Sequence, residues 1–203
     1  MKIVGVTGGI AAGKSTVVRL FGARGAVVRS ADEDARAILQ PGTPALAQVL
    51  QEFPNCRLAD GSLDRATLAA RIFPDPAARH RLETITHPAI IARMRDAVNA
   101  ARAQSGHGVL VYETPLLYEA GLEPLFDMVI AVVAPPELQA ERLQARQAAA
   151  GRPALTQAAV AARLTAQLSP DEKARRADYV IRTDGTMQET ADRVGVIWTA
   201  LQS

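Results

Sequence analysis

The chain is short of cysteine, of lysine and of long apolar runs. Cys56 is the only cysteine, which excludes an internal disulfide and leaves no thiolate cluster for zinc, so a reducing compartment is expected. The longest internal apolar run, Met128 to Ala134, falls far below the roughly 20 residues needed to cross a bilayer. Lys2 and the apolar stretch after it have the outline of a signal peptide, but Gly5, Thr7, Gly8 and Gly9 interrupt the run and Lys14 follows at once. A cytoplasmic protein with no targeting segment and no membrane partner is therefore expected. Net charge is only +2 over 203 residues, a small arginine surplus with no concentrated basic face, which argues against a nucleic-acid partner.

Of 23 basic residues only Lys2, Lys14 and Lys173 are lysine. One of the three stands where a compact ammonium suits a phosphate: Gly8 to Ser15 reads GGIAAGKS, a fit to G-x-x-x-x-G-K-[ST] between an apolar run and a helical pattern. Gly8 and Gly13 allow backbone conformations that a side chain would block, so that successive N–H groups converge on an anion. The helix that follows aims its positive end at the same point. The loop Gly8, Gly9, Ile10, Ala11, Ala12, Gly13, Lys14, Ser15 and Thr16 is the expected ATP site, with Lys14 on the outer phosphates and the Ser15 hydroxyl on magnesium.

Five short apolar or β-branched runs read as strands: residues 2–6, 26–29, 109–112, 128–133 and 179–181. Helical patterns separate them, which predicts a single α/β unit over 1–203, built on a five-stranded parallel sheet covered on both faces. Ligands in such sheets gather at the carboxyl ends of the strands. Between the second and third strands no strand pattern appears. Residues 33–107 read instead as a helical insertion that grips the second substrate, with Asp64 capping a helix to Ile72 and Asp75-Pro76 opening another. Residues 140–170 read as a helical lid, in which Arg142 and Arg146, spaced i, i+4, share one face and are the expected arginines over a triphosphate.

A phosphate loop serves GTPases, motor ATPases and small-molecule kinases alike. With lysine at three positions only, no N-K-x-D element exists, and the single D-x-x-G, Asp192 to Gly195, lies in the last helical pattern; a guanine-specific switch is excluded. Transfer of a phosphoryl group to an alcohol calls for a carboxylate that takes the hydroxyl proton. Asp32, just after the second strand, is the expected base, and Glu113, at the end of the third, the expected magnesium or magnesium-water ligand. Leu116, Tyr118 and Glu119 follow that strand and are expected along the substrate groove. His87-Pro88 reads as a helix start at which His87 caps or packs, His80 and His107 have no ligand partner at useful spacing, and Trp198 is expected in the core. A nucleoside or nucleotide kinase and a nucleotide-binding regulator share these features.

Over essentially its whole length the chain resembles the dephospho-coenzyme A kinases, a P-loop kinase family. The resemblance rests on TGGIAAGKST at Thr7 to Thr16, SADEDAR at Ser30 to Arg36, PGTPAL at Pro41 to Leu46 and ADGSLDR at Ala59 to Arg65. It continues through His87-Pro88, ETPLLYEAGL at Glu113 to Leu122 and ADYVI at Ala177 to Ile181. It implies a P-loop kinase core with a helical coenzyme-binding insertion and a lid, and ATP-dependent phosphorylation of the ribose 3′-hydroxyl of dephospho-coenzyme A, the last step of coenzyme A synthesis. It also implies Asp32 as the base, His87 near the substrate, and Asp184 and Gly185 near adenine; a monomer is expected. Ser30 departs from the family's first aspartate and Glu113 from its common aspartate. Gln147 with the following AAAGRP replaces a shorter acidic turn, and Thr183-Asp184-Gly185 replaces an asparagine-bearing one.

Overall fold

A computed structural model describes residues 1–104 and 108–202; His107 and the end of the expected insertion at 107 lie outside them. The described residues divide into two compact units, one of Met1–Ser30 with Ala100–Ser203 and one of Ala31–Asn99.

The larger unit holds a sheet of β1 (Lys2–Gly8), β2 (Val27–Ser30), β3 (Val109–Glu113), β4 (Met128–Val133) and β5 (Tyr179–Arg182). All pairings are parallel, in the order β2-β3-β1-β4-β5. β1 is central and covered on both faces, so it reads as a continuous apolar run rather than an alternation. On one face Val4, Val6, Val111, Ile130, Val132 and Ile181 pack with Val17 and Phe21 of α1 (Lys14–Gly22) and with Val194, Ile197 and Leu201 of the C-terminal helix, Met187–Gln202. Trp198 packs partly buried against this cluster, its ring 6.4 Å from that of Phe21. At Gly5 a Cβ would lie 2.7 Å from Leu117 Cδ1 and 2.9 Å from Phe126 Cγ, so any larger residue would push these two side chains off the strand.

The connection from β1 passes beyond β3 to reach β2, whereas that from β3 passes β1 to reach β4. The strand order therefore reverses between β1 and β3, and the carboxyl ends of these two strands flank the crevice in which such sheets bind ligands. The register Val6↔Glu113 and Ser30↔Glu113 sets Glu113 at that point.

The smaller unit contains α2 (Ala31–Ala37), α3 (Pro44–Glu52), α4 (Arg65–Ile72) and most of α5 (Pro76–Ala103). Leu46, Val49, Leu50, Phe53, Cys56, Leu63, Leu68 and Ala78 form its core. The starts of these helices are written in the sequence. Thr43 accepts from the Leu46 amide ahead of Pro44, Asp64 accepts from Ala66 and Thr67, and Asp75 accepts from Ala77 and Ala78, each satisfying amides that a helix start leaves unpaired.

Pro88 does not begin a helix. α5 runs through it without interruption, although proline removes one helical bond. The bond lost is the one the Thr84 carbonyl would accept; in the turns before the proline the Thr84 and Thr86 hydroxyls back-bond to His80 O and Leu82 O, each at 2.9 Å. Buried Ala78, Met94 and Val98 hold the helix on either side. His87 is therefore an exposed mid-helix residue and caps nothing.

Candidate nucleotide site

The loop between β1 and α1 derives its shape from two glycines. Gly8 has φ +154° and Gly13 φ +93°. A methyl group at Gly8 would overlap the Val132 carbonyl oxygen of the neighbouring strand, and one at Gly13 would press to 3.2 Å from the Thr183 hydroxyl. Ala11, a non-glycine, also holds φ +56°, a conformation that costs energy unless its surroundings enforce it. Here they do: Ala11 is buried in a cluster with Leu143 and Val160, and Ile10, Leu155 and Leu164 pack around it. No side chain caps α1, which leaves the amides of its first turn to an anion. The Lys14 ammonium folds back over the loop, donating to Gly8 O at 3.1 Å and Gly9 O at 3.0 Å. Ser15 is exposed in the first turn and Thr16 half-buried.

Two residues that sequence reasoning did not assign to the site brace this loop. Buried Gln139, on α6 (Pro136–Ala149), donates to Ala134 O at 2.7 Å, and its Oε1 stands 2.6 Å from where a Cβ on Gly9 would be. Thr183, the first residue beyond β5, donates its hydroxyl to Ala12 O at 2.7 Å and accepts from Arg142 Nη1 at 3.0 Å. Arg142 Nη2 reaches the Thr183 carbonyl at 2.6 Å. The sheet end, the loop and α6 are thus joined through one threonine. A third residue left unassigned, buried Lys173, donates to Pro115 O at 2.6 Å in the segment that follows β3.

Beside Thr183 a cavity of about 390 Å³ is lined by Ala11, Gly13, Thr16, Arg142, Ala145, Arg146, Thr183, Gly185, Met187 and Thr190. The structure thus brings Arg142, Arg146 and Gly185 together with the loop. Asp184 lines an adjoining groove of about 710 Å³ along β5 and the C-terminal helix, which shares Gly185 with this cavity. There it pairs with Arg182 at 3.0 Å, a bond that holds its carboxyl below and the guanidinium above their ordinary ranges.

The arginine-rich stretch forms α6, α7 (Gln157–Thr165) and α8 (Pro170–Arg176). Gln144 clamps the turn between the first two with both ends of its amide, donating to Leu155 O at 2.7 Å and accepting from Leu155 N at 3.0 Å. The apolar face of α7, through Val160 and Leu164, belongs to the cluster that contains Ile10 and Ala11.

After β3, Leu116 is half-buried and Tyr118 buried. Burial pushes the Tyr118 hydroxyl up to about 12, which leaves it a neutral phenol. Arg176 lies 4.3 Å over the Tyr118 ring. Glu119 accepts from Leu168 N at 2.9 Å and pairs with Lys173 Nζ at 3.0 Å. Burial pushes its carboxyl up, but the Leu168 amide and the Lys173 ammonium together hold it below the usual range.

In the smaller unit Asp32 sits in the first turn of α2 with Glu33 and Asp34, two residues beyond β2. Asp34 is buried and paired at 3.0 Å with Arg93 of α5.

No three of His, Cys, Asp and Glu cluster to hold a metal among the described residues. Exposed Ser15 and half-buried Glu113 at a strand end suit a hard cation that takes most of its oxygen ligands from phosphate and water, as magnesium does. No helix is long and apolar enough to cross a membrane among the described residues.

The dephospho-CoA kinase family matches residues 2–189. A dephospho-CoA kinase of Anaeromyxobacter dehalogenans is 50% identical over 194 residues, covering 95% of this chain and 89% of that protein. Among solved structures, a Thermus thermophilus protein aligns with a TM-score of 0.79 at 30% identity, over 100% of this chain and 98% of that one. The dephospho-CoA kinase of Campylobacter jejuni aligns at 0.71 and 26% identity, over 99% and 97%.

Proposed function

We propose, from the premise that this chain belongs to the dephospho-CoA kinase family, that it transfers the γ-phosphoryl group of ATP to the ribose 3′-hydroxyl of dephospho-coenzyme A, yielding coenzyme A and ADP. The observation that carries this reading is the braced phosphate loop beside an arginine-lined cavity, in a chain 50% identical to a dephospho-CoA kinase.

The loop amides and the N-terminus of α1 bind the phosphates, and Lys14 exchanges its two carbonyl contacts for phosphate oxygens. The cavity beside Thr183 and Gly185 takes the base and sugar, with Arg142 and Arg146 at its edge toward the phosphates. Asp32 accepts the 3′-hydroxyl proton as that oxygen bonds to the γ-phosphorus, and the bond from phosphorus to the bridging oxygen breaks to release ADP. The position of Asp32, two residues past the strand that pairs with β3 at Glu113, supports this role.

Ser15 and Glu113 would hold magnesium or its water, which supplies neutralisation of phosphate charge. Leu116, Tyr118, Glu119 and His87 belong to the substrate side, in which Tyr118 and Glu119 act through packing and pairing. Residues 33–107 form the insertion that takes the coenzyme end and 140–170 the lid, which excludes water so that hydrolysis does not compete. A cytoplasmic monomer completes the reading.

The test is ADP release by purified protein with magnesium and ATP, comparing dephospho-coenzyme A with nucleosides, nucleotides and no acceptor. Stimulation confined to dephospho-coenzyme A, with coenzyme A formed, is the expected result. Stimulation by a nucleoside alone would overturn the substrate, and stimulation by nothing would overturn the kinase.

A further inference from the structure

We propose that Lys173 is a positioning residue for phosphoryl transfer, its buried ammonium holding the Pro115 carbonyl and the Glu119 carboxylate and so fixing the far arm of the lid, the segment after β3 and the strand end that carries the phosphate loop. The inference rests on the kinase reading above.

Lys173 has no exposed surface. A lysine there loses its hydration, and an apolar side chain of similar length would fill the space without that cost. Burial lowers its pKa, partly offset by Glu119. What the charge gains is a junction of three segments. Nζ donates to Pro115 O at 2.6 Å and pairs with Glu119 Oε1 at 3.0 Å. The same carbonyl accepts from Thr7 Oγ1 at 3.1 Å, the residue before Gly8. The same carboxylate oxygen accepts from Leu168 N at 2.9 Å, in the link between α7 and α8.

One turn further along α8, Arg176 lies over the Tyr118 ring and pairs with Glu123. Two cations at i, i+3 therefore fasten α8 to residues 115–123. α7 is suspended between this anchor and the Gln144 clamp on Leu155, with its apolar face in the cluster that holds Ile10 and Ala11. Loosening the anchor lets the helix ride away from the loop. A lid that fits poorly both misplaces the transferring group and admits water.

The test is the ratio of acceptor-free ADP release to transfer in Lys173→Met, Glu119→Gln and the double variant, alongside nucleotide affinity and tryptic cleavage after Arg163 in α7. Lys173→Met is expected to cut transfer by about 10- to 100-fold, to raise the ratio about 10-fold, and to speed cleavage, with nucleotide affinity held within about 2-fold. Glu119→Gln should shift the ratio the same way but less, and the double variant no further than Lys173→Met, because both act through one pair. A variant that loses stability while its ratio and cleavage rate stay at the wild-type values would overturn the proposal and leave Lys173 a packing residue. Should Lys173→Met fail to fold, Glu119→Gln decides on the same two readouts. Wild-type protein that transfers nothing to dephospho-coenzyme A would refute the proposed function, with acceptor-free hydrolysis and lid cleavage still deciding the anchor. Normal wild-type transfer with unshifted variants would refute the anchor alone.

Discussion

Thr183→Val removes a hydroxyl and little else. Valine matches threonine in shape, so packing against Gly13 is kept while the hydroxyl's hydrogen bonds go, that to Ala12 O at 2.7 Å, that from Arg142 at 3.0 Å and a longer one to Val133 O at 3.5 Å. The Arg142 contact to the Thr183 carbonyl at 2.6 Å survives. Leaving a buried acceptor without its donor costs about 1–3 kcal/mol, and a bond from a charged donor lies toward the upper end. Because the hydroxyl joins loop, strand end and α6, the loss should appear both in global stability and in nucleotide binding. About 1.5–3 kcal/mol is expected from urea unfolding, and a roughly 10-fold weaker nucleotide Kd, equivalent to about 1.4 kcal/mol, from calorimetric titration. Thr183→Ser keeps the oxygen and should recover most of both. A valine variant with unchanged Kd and midpoint, or a serine variant as damaged as the valine one, would refute the bracing role.

Other expectations follow from single residues. Asp32→Asn should lower turnover by roughly 10² to 10⁴ with nucleotide Kd little changed; near-normal turnover would remove it from the base role. Gly8→Ala drives a methyl into the Val132 carbonyl oxygen at φ +154°, so nucleotide binding should be lost in a titration even where circular dichroism shows a folded chain. Asp64 and Asp75 cap α4 and α5, and hydrogen bonds, to Thr67 for the first and to the Ala78 amide for the second, hold their carboxyls below the ordinary 3.8. A depressed carboxylate contributes stability that is complete above its unfolded value and is lost as the pH falls through the folded one. Thermal stability should therefore drop in acid below about pH 4, and Asp64→Asn with Asp75→Asn should flatten that drop.

The five strands were legible because each is a short β-branched run between helical patterns. The bounds moved little: β1 continues to Gly8, β2 runs Val27–Ser30, and β4 stands at Met128–Val133. Caps at Asp64 and Asp75 were legible because the interactions span two or three residues. Pro88 misled because local chemistry marks a helix boundary where buried neighbours on both sides keep the helix intact. Thr183 was hidden for a different reason: its partner Ala12 lies 171 residues away, and no periodicity reports such a contact. Lys173, 58 residues from Pro115, could have been noticed. The scarcity that singled out Lys14 applies equally to the third lysine of an arginine-rich chain, where an ammonium has been kept in a fully buried place.

The most direct test of the central claim is coenzyme A formation from dephospho-coenzyme A and ATP, followed by product mass and by ADP release in the same reaction. The account predicts one ADP for each coenzyme A, phosphorylated on the 3′-hydroxyl, and little release without the acceptor. ADP release at the same rate with and without dephospho-coenzyme A, and no coenzyme A formed, would contradict it.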